Sequence, residues 1–242
     1  MTQTKQSTVS AIAVVDLADE LIEREIIDVP ALSFISTALH KNYQAHKAGE
    51  SIIEKRLVET DILSLWEIAA GLKFSPTLGV DIGQSVNVNA KGLLVNWLSC
   101  CDTLKQALQV FHDNIALLNE SESWQIKQES GYVKLIFKFN SIYTYPVMAI
   151  ERSMVALVAW AEYFTSSQLL INHAKFTFPE PSYCDRYVKV FGPNIQFNAH
   201  ENVIELAESE LNKRIQGANP YLRDLIAERS SHIPFKEVDI SS

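Results

Sequence analysis

Apolar positions recur along the chain in two rhythms, and the first of them is helical. Ala11, Val14, Val15, Ala18 and Leu21 share one face of a 3.6-residue period, with Asp19, Glu20 and Glu23 on the other. A second helix is predicted to open at Pro30, which suits a first helical position, and to run through Ile35 and Leu39. Polar Lys41–Ser51 reads as a loop. A third helix is expected from Thr60 or Asp61, either a good N-cap, burying Ile62, Leu65, Trp66 and Ala69. Gly71, Pro76 and Gly79 then punctuate the chain as turn signals.

From Gly92 onward a mixed rhythm replaces the helical one. Gly92–Ser99 is an apolar run of strand length, after which Asp102 or Thr103 caps a helix carrying Leu104, Ala107, Leu108, Phe111, Ile115 and Leu118 on one face. Trp124–Glu129 and Tyr132–Asn140 read as a hairpin around Ser130-Gly131. In its second arm Val133, Leu135, Phe137 and Phe139 alternate with Lys134, Ile136 and Lys138. A long helix, Val147–Phe164, closes the unit. The same order then recurs: a strand through Ala174, Phe176 and Phe178, and a helix Ser182–Phe191 with Tyr183, Tyr187, Val188 and Phe191 inward and Gly192-Pro193 as its stop. A second hairpin, Ile195–Ala199 with Val203–Ala207, comes next, then a short helix capped by Ser209. Asn219-Pro220 opens a last helix that buries Leu222, Leu225 and Ile226.

The expected class is α+β: a helical N-terminal part, then a β-α-β-β-α unit written twice, forming an antiparallel or mixed sheet covered by helices. Residues 1–10 are expected as a flexible tail and 11–229 as one composite domain, helical over 11–75 with an α/β body over 76–229. Residues 230–242 are expected as a tail or the start of a linker.

Composition narrows the functional classes. The 242 residues are 47% hydrophobic and 21% charged, which excludes disorder as the main state. A net charge of −8 argues against a nucleic-acid-binding face spread over the whole chain. Three cysteines, two of them adjacent (Cys100, Cys101), do not make a disulfide framework and suit a reducing cytoplasm. The longest apolar run, Met154–Ala161, is far below the ~20 residues that span a bilayer, and no signal-peptide core is visible. A cytoplasmic location without membrane attachment is expected.

No enzyme chemistry stands out. The six histidines (His40, His46, His112, His173, His200, His232) fall in no metal-ligand spacing, and neither a GxSxG elbow nor a kinase or deaminase signature is present. Cys100 and Cys101 precede a helix N-terminus, but no base is tied to them by spacing. Gly79-Val80-Asp81-Ile82-Gly83 lacks the phosphate-loop pattern and reads as a turn. No catalytic residue, metal or cofactor is therefore expected. Glu151-Arg152 opens the most apolar helix; inside the fold these charges must be paired or face a cavity, whereas at its surface end, the more common case, they need no explanation. A small-molecule cavity between the two units, lined by aromatics with Arg152 or a histidine, is the expected site. Its candidates are Trp97, His112, Trp124, Tyr145, Arg152, His173 and Tyr183.

Two blocks carry a family resemblance. The first holds Leu65-Trp66, Leu78-Gly79, Gly83, Gly92, Ser99, Thr103-Leu104 and Ala107-Leu108; the second holds Pro179, Pro181, Tyr187, Phe191-Gly192, Phe197, Asn202, Leu206 and Leu211. In order and spacing they resemble the sensor domain of a large branch of AraC-type transcriptional regulators, over about Ala11 to Ile226. The resemblance implies an arabinose-binding-like domain that binds a small-molecule effector and forms a homodimer. It also implies that DNA is contacted only through a C-terminal helix-turn-helix domain, which does not follow Arg229 in this sequence. A stand-alone ligand-binding or heterodimerising protein is the alternative, and an enzyme using the same pocket is the third reading.

Overall fold

The computed structural model describes residues 6–71 and 76–233; residues 1–5 and 234–242 of the two expected tails, and 72–75 at the expected end of the helical part, lie outside them. The helical part comprises α1 (Ala11–Glu23), α2 (Ala31–Ile35), α3 (Thr37–Lys47), α4 (Glu59–Gly71) and α5 (Leu78–Gln84). A small antiparallel pair, β1 (Thr8–Ser10) with β2 (Arg56–Val58), ties α1 to α4. Thr8–Ser10, expected in the tail, thus form an ordered and buried strand. Arg56 anchors this pair by donating to the carbonyl oxygens of Thr8, Ala116 and Leu117.

Two local expectations fail here for a common reason, a polar side chain that acts on the backbone or on a neighbouring helix. The helix expected from Pro30 through Leu39 breaks at Ser36, which is extended and caps α3 by accepting from the Leu39 N–H at 3.2 Å. The expected loop Lys41–Ser51 is instead helical as far as Lys47. Its inward stripe is narrow, Leu39 and Tyr43 alone, and Asp19 of α1 holds its outer edge by accepting from the Tyr43 hydroxyl and Lys47.

The body adds α6 (Leu93–Ser99), α7 (Leu104–Asn114), β3 (Glu122–Glu129), β4 (Tyr132–Phe139) and α8 (Val147–Thr165). It continues with β5 (Ile171–Lys175), α9 (Cys184–Phe191), β6 (Ile195–Gln196), β7 (Asn202–Ala207) and α10 (Pro220–Ser231). Five strands form one sheet in the order β3-β4-β7-β5-β6, antiparallel except for the parallel β5–β6 edge. The α+β class with a mixed sheet under helices is as expected. Gly131, at φ +85°, makes the β3–β4 turn, and Val133, Leu135 and Phe137 of β4 point into the core.

The repeat breaks at the level of individual elements. Gly92–Ser99 forms α6, not a strand, because an eight-residue apolar run carries no periodicity that separates the two. The expected second hairpin does not form. Of its first arm Ile195–Gln196 pairs, and it pairs with β5, while Asn198 turns the chain at φ +54°. β7 then inserts between β4 and β5. The glycines read as a turn, Gly79 and Gly83, lie one helical turn apart on α5 and bring it into close contact with α8. Leu222 and Leu225, expected to be buried, are 42% and 49% exposed on α10, as is Val188 of α9 at 40%.

Helix α8 joins the two cores. Ala149 packs into the N-terminal cluster with α1 and α4, whereas Met154, Val155 and Val158 pack under the sheet with Phe137, Phe176, Tyr187 and Phe191. Side chains on the remaining face of α8 line a cavity.

Candidate functional site

The cavity arises from the register of α8. Arg152, Ala156, Trp160 and Phe164 form one row four residues apart, and Ser153, Leu157 and Ala161 form the adjacent row. Facing them are Leu94, Val95 and Leu98 of α6 and Leu104, Ala107, Leu108 and Phe111 of α7; Leu118, with Glu122 and Trp124 of β3, closes the floor. The cavity volume is about 100 Å³. Its wall is apolar except for Glu122, Arg152 and Ser153. Trp124 is held edge-on by Phe111 at 5.7 Å and lies against Phe137 at 4.7 Å, so this part of the wall is rigid.

Two smaller recesses adjoin the cavity and share Arg152 with it. One, of about 40 Å³, is polar, with Asp16 of α1, Ser85 and Asn87 in its lining. The other, about 10 Å³, touches Tyr145, Phe139, Trp66 and Asn119 and is large enough for about one water molecule. The half-buried guanidinium of Arg152 therefore stands at the junction of all three spaces.

Two carboxylates flank this cation. Glu122 accepts from Ser153 Oγ at 3.0 Å and from Trp124 Nε1 at 3.3 Å. Burial pushes its pKa up, against the opposing pull of Arg152 and those two hydrogen bonds. Asp16 accepts from Asn87 Nδ2 at 2.8 Å; burial raises it too, with Arg152 the largest opposing influence. Arg152 makes no hydrogen bond or ion pair with the described residues, so its donors are open to the cavities.

The sequence candidates separate on this map. Trp124 and Arg152 line the main cavity, and Tyr145 reaches the smallest recess, its ring stacked 3.7 Å from Phe139 and its hydroxyl on Glu59. Trp97, on α6, His112, exposed on α7 beside Asp113, and His173 of β5 lie outside all three linings. Tyr183 lies elsewhere, donating with Tyr187 to Glu151. Glu151 is buried and its second oxygen is unpartnered among the described residues; burial raises its pKa, and the tyrosines counter it. The adjacent Glu151 and Arg152 thus diverge: Glu151 is buried and accepts from two tyrosine hydroxyls, whereas Arg152 is half-buried and lines the cavity.

Asp16, Glu122 and Ser153 line the cavity or its recess and are missed by sequence reasoning. Asp16 interrupts an apolar run, the one local sign of an inward polar group. Nothing local marks Glu122, whose partners lie 31 residues away on α8 and two residues along β3. Among the described residues no group of acids, histidines and cysteines is arranged to hold a metal, and no helix is long and apolar enough to cross a membrane.

A family model described as the N-terminal arabinose-binding domain of AraC transcription regulators matches residues 51–215. The ornithine utilization regulator of Pseudomonas aeruginosa is 25% identical over 170 residues, which cover 68% of this chain and 49% of that protein. The crystal structure of the transcriptional regulator CdpR from Pseudomonas aeruginosa superposes with a TM-score of 0.52 at 17% identity, covering 67% of this chain and 53% of the other, a likeness of fold. The chain spans about half the length of each.

Proposed function

Because this chain belongs to the family of N-terminal arabinose-binding domains of AraC transcription regulators, we propose that its α6–α7–α8 cavity receives a small-molecule effector whose binding is linked to transcription. The observation that supports this most directly is the cavity itself: an apolar space walled by three helices, with the Arg152 guanidinium, unpartnered among the described residues, at its edge. Helices of a ligand site can shift against each other when it fills. An effector that binds one arrangement better than another biases that equilibrium, and an attached DNA-binding segment would respond to the bias. Homodimerisation and a cytoplasmic location belong to the same reading. The relatives named above are regulators, which favours sensing over catalysis.

A thermal-shift screen of small metabolites tests the ligand role. Binding should raise the melting temperature, and Leu108→Trp, which fills the cavity, should remove the response while the circular dichroism spectrum stays that of the wild type. Equal responses in the two proteins would place binding elsewhere. Sedimentation of the 242-residue chain tests the dimer, and a monomer at all concentrations would refute it.

A further inference from the structure

We infer that the effector is a monocarboxylate with a compact apolar body, its carboxylate held by Arg152 and its body packed against Trp124, Leu157 and Trp160. The inference rests on the reading of this cavity as the effector site.

The hydrogen bonds made and left unmade around Arg152 point to this chemistry. A guanidinium offers five N–H donors in a planar fork that matches a carboxylate bidentately. Arg152 uses none of them on the described residues. The neighbouring acceptors, in contrast, have partners of their own: both oxygens of Glu122 accept, from Ser153 and Trp124, and Asp16 Oδ1 accepts from Asn87. The open capacity of the site is therefore for an acceptor, and a charged one gains most in a partly dry setting. Burial raises the pKa of both Asp16 and Glu122, against the pull of the Arg152 charge beside them. A second cation stands behind the same wall, since Lys91 Nζ lies 5.8 Å from the Trp160 ring centroid and 6.0 Å from that of Phe164.

Size and polarity define the rest of the molecule. A cavity of about 100 Å³, with a recess of about 40 Å³ that shares Arg152, Ala156 and Trp160 with it, is on the scale of the ~150 Å³ that admits benzene in an apolar cavity. A pentose fits this chemistry poorly. Its hydroxyls would face Leu, Val, Ala and Phe side chains, leaving several of them without protein partners. The sugar in the family's name therefore does not describe this wall.

The test compares benzoate and hexanoate with benzamide, hexanamide and L-arabinose by thermal shift and titration calorimetry. The proteins are the wild type, Arg152→Gln, Arg152→Lys and Ala156→Leu. For the wild type at saturation, at least one acid should raise the melting temperature by about 5 °C and bind about tenfold or more tightly than its amide. Arg152→Gln should erase that preference and Arg152→Lys should keep part of it. Ala156→Leu, which fills the space beside Arg152 and leaves the charge in place, should abolish binding of both. Equal binding of acid and amide, a preference that survives Arg152→Gln, or tighter binding of L-arabinose would overturn the inference. If the amides bind and Ala156→Leu removes them, the cavity remains the effector site and the carboxylate class alone fails. If none of these compounds shifts the wild type, the carboxylate inference fails, and the screen of small metabolites decides the effector reading by itself.

Discussion

Replacing Gly79 by alanine tests the contact that sets α5 against α8. A Cβ at this position would lie 2.7 Å from Met148 Cα and 2.5 Å from Glu151 Oε2, with the Met148 carbonyl oxygen also in its way. Two of the three obstacles are backbone, so the helices must separate by most of an ångström. Overpacking of a tight core costs about 1–3 kcal/mol, and the upper end applies where backbone moves. Alanine offsets roughly 1 kcal/mol of this through its helix propensity. Displacing Glu151 disturbs the hydrogen bonds from Tyr183 and Tyr187, at a further cost of about 1–3 kcal/mol. The net destabilisation is about 3–5 kcal/mol, which for a chain of this size lowers the melting temperature by about 6–20 °C. Thermal unfolding followed by far-ultraviolet circular dichroism measures it. Gly71→Ala is the control, because none of the described residues lies within 4 Å of a Cβ placed there; it should shift stability by no more than about 1 kcal/mol. A Gly79→Ala protein that melts at or above the wild-type temperature would refute the reasoning.

Three further outcomes are expected. Burial lifts Asp61 from 3.8 to about 6, so between those values the native state holds a proton that the unfolded chain releases. Stability from this group is full below pH 3.8 and lost as pH rises through 6, with Asp16, Glu122 and Glu151 displaced in the same direction. In pH-dependent urea titrations Asp61→Asn should flatten this decline by roughly 1–2 kcal/mol, solvent screening included, and an unchanged slope would show that Asp61 does not contribute. Arg56→Met should lower the urea midpoint by an amount equivalent to about 3 kcal/mol or more, because three backbone carbonyls lose their donor; a loss below about 1 kcal/mol contradicts the anchoring role. Tyr187→Phe leaves Glu151 with Tyr183 as its remaining donor and should cost about 1–3 kcal/mol, more than Tyr183→Phe at its half-exposed position; the reverse order in thermal melts would count against the buried cluster.

Elements with a wide apolar stripe or a strong local cap are legible in the sequence. Helix α1 buries Ala11, Val14, Val15, Ala18 and Leu21 as read, Thr103 caps α7 by accepting from the Gln106 N–H, and Asn219-Pro220 starts α10. The β3–β4 hairpin is legible because alternation and the Ser130-Gly131 turn agree. Illegible are elements whose identity depends on distant partners. Helix α3 needs Asp19 of α1, α6 needs the facing wall of α8, and Gly79 and Gly83 reveal a helix contact only once Met148 and Val155 are opposite them.

The sequence by itself determined the α+β class, the absence of a dominant basic face and the family resemblance. Each depends on composition or on the order and spacing of residue types along the chain. Tertiary structure decided the site. The role proposed for Arg152 depends on α1, β3 and α8 converging from residues 16, 122 and 152, which leaves its donors open beside carboxylates that accept from Asn87, Ser153 and Trp124. Burial and unmatched hydrogen-bonding capacity are properties of surroundings assembled from distant segments, so no local stretch of sequence contains them.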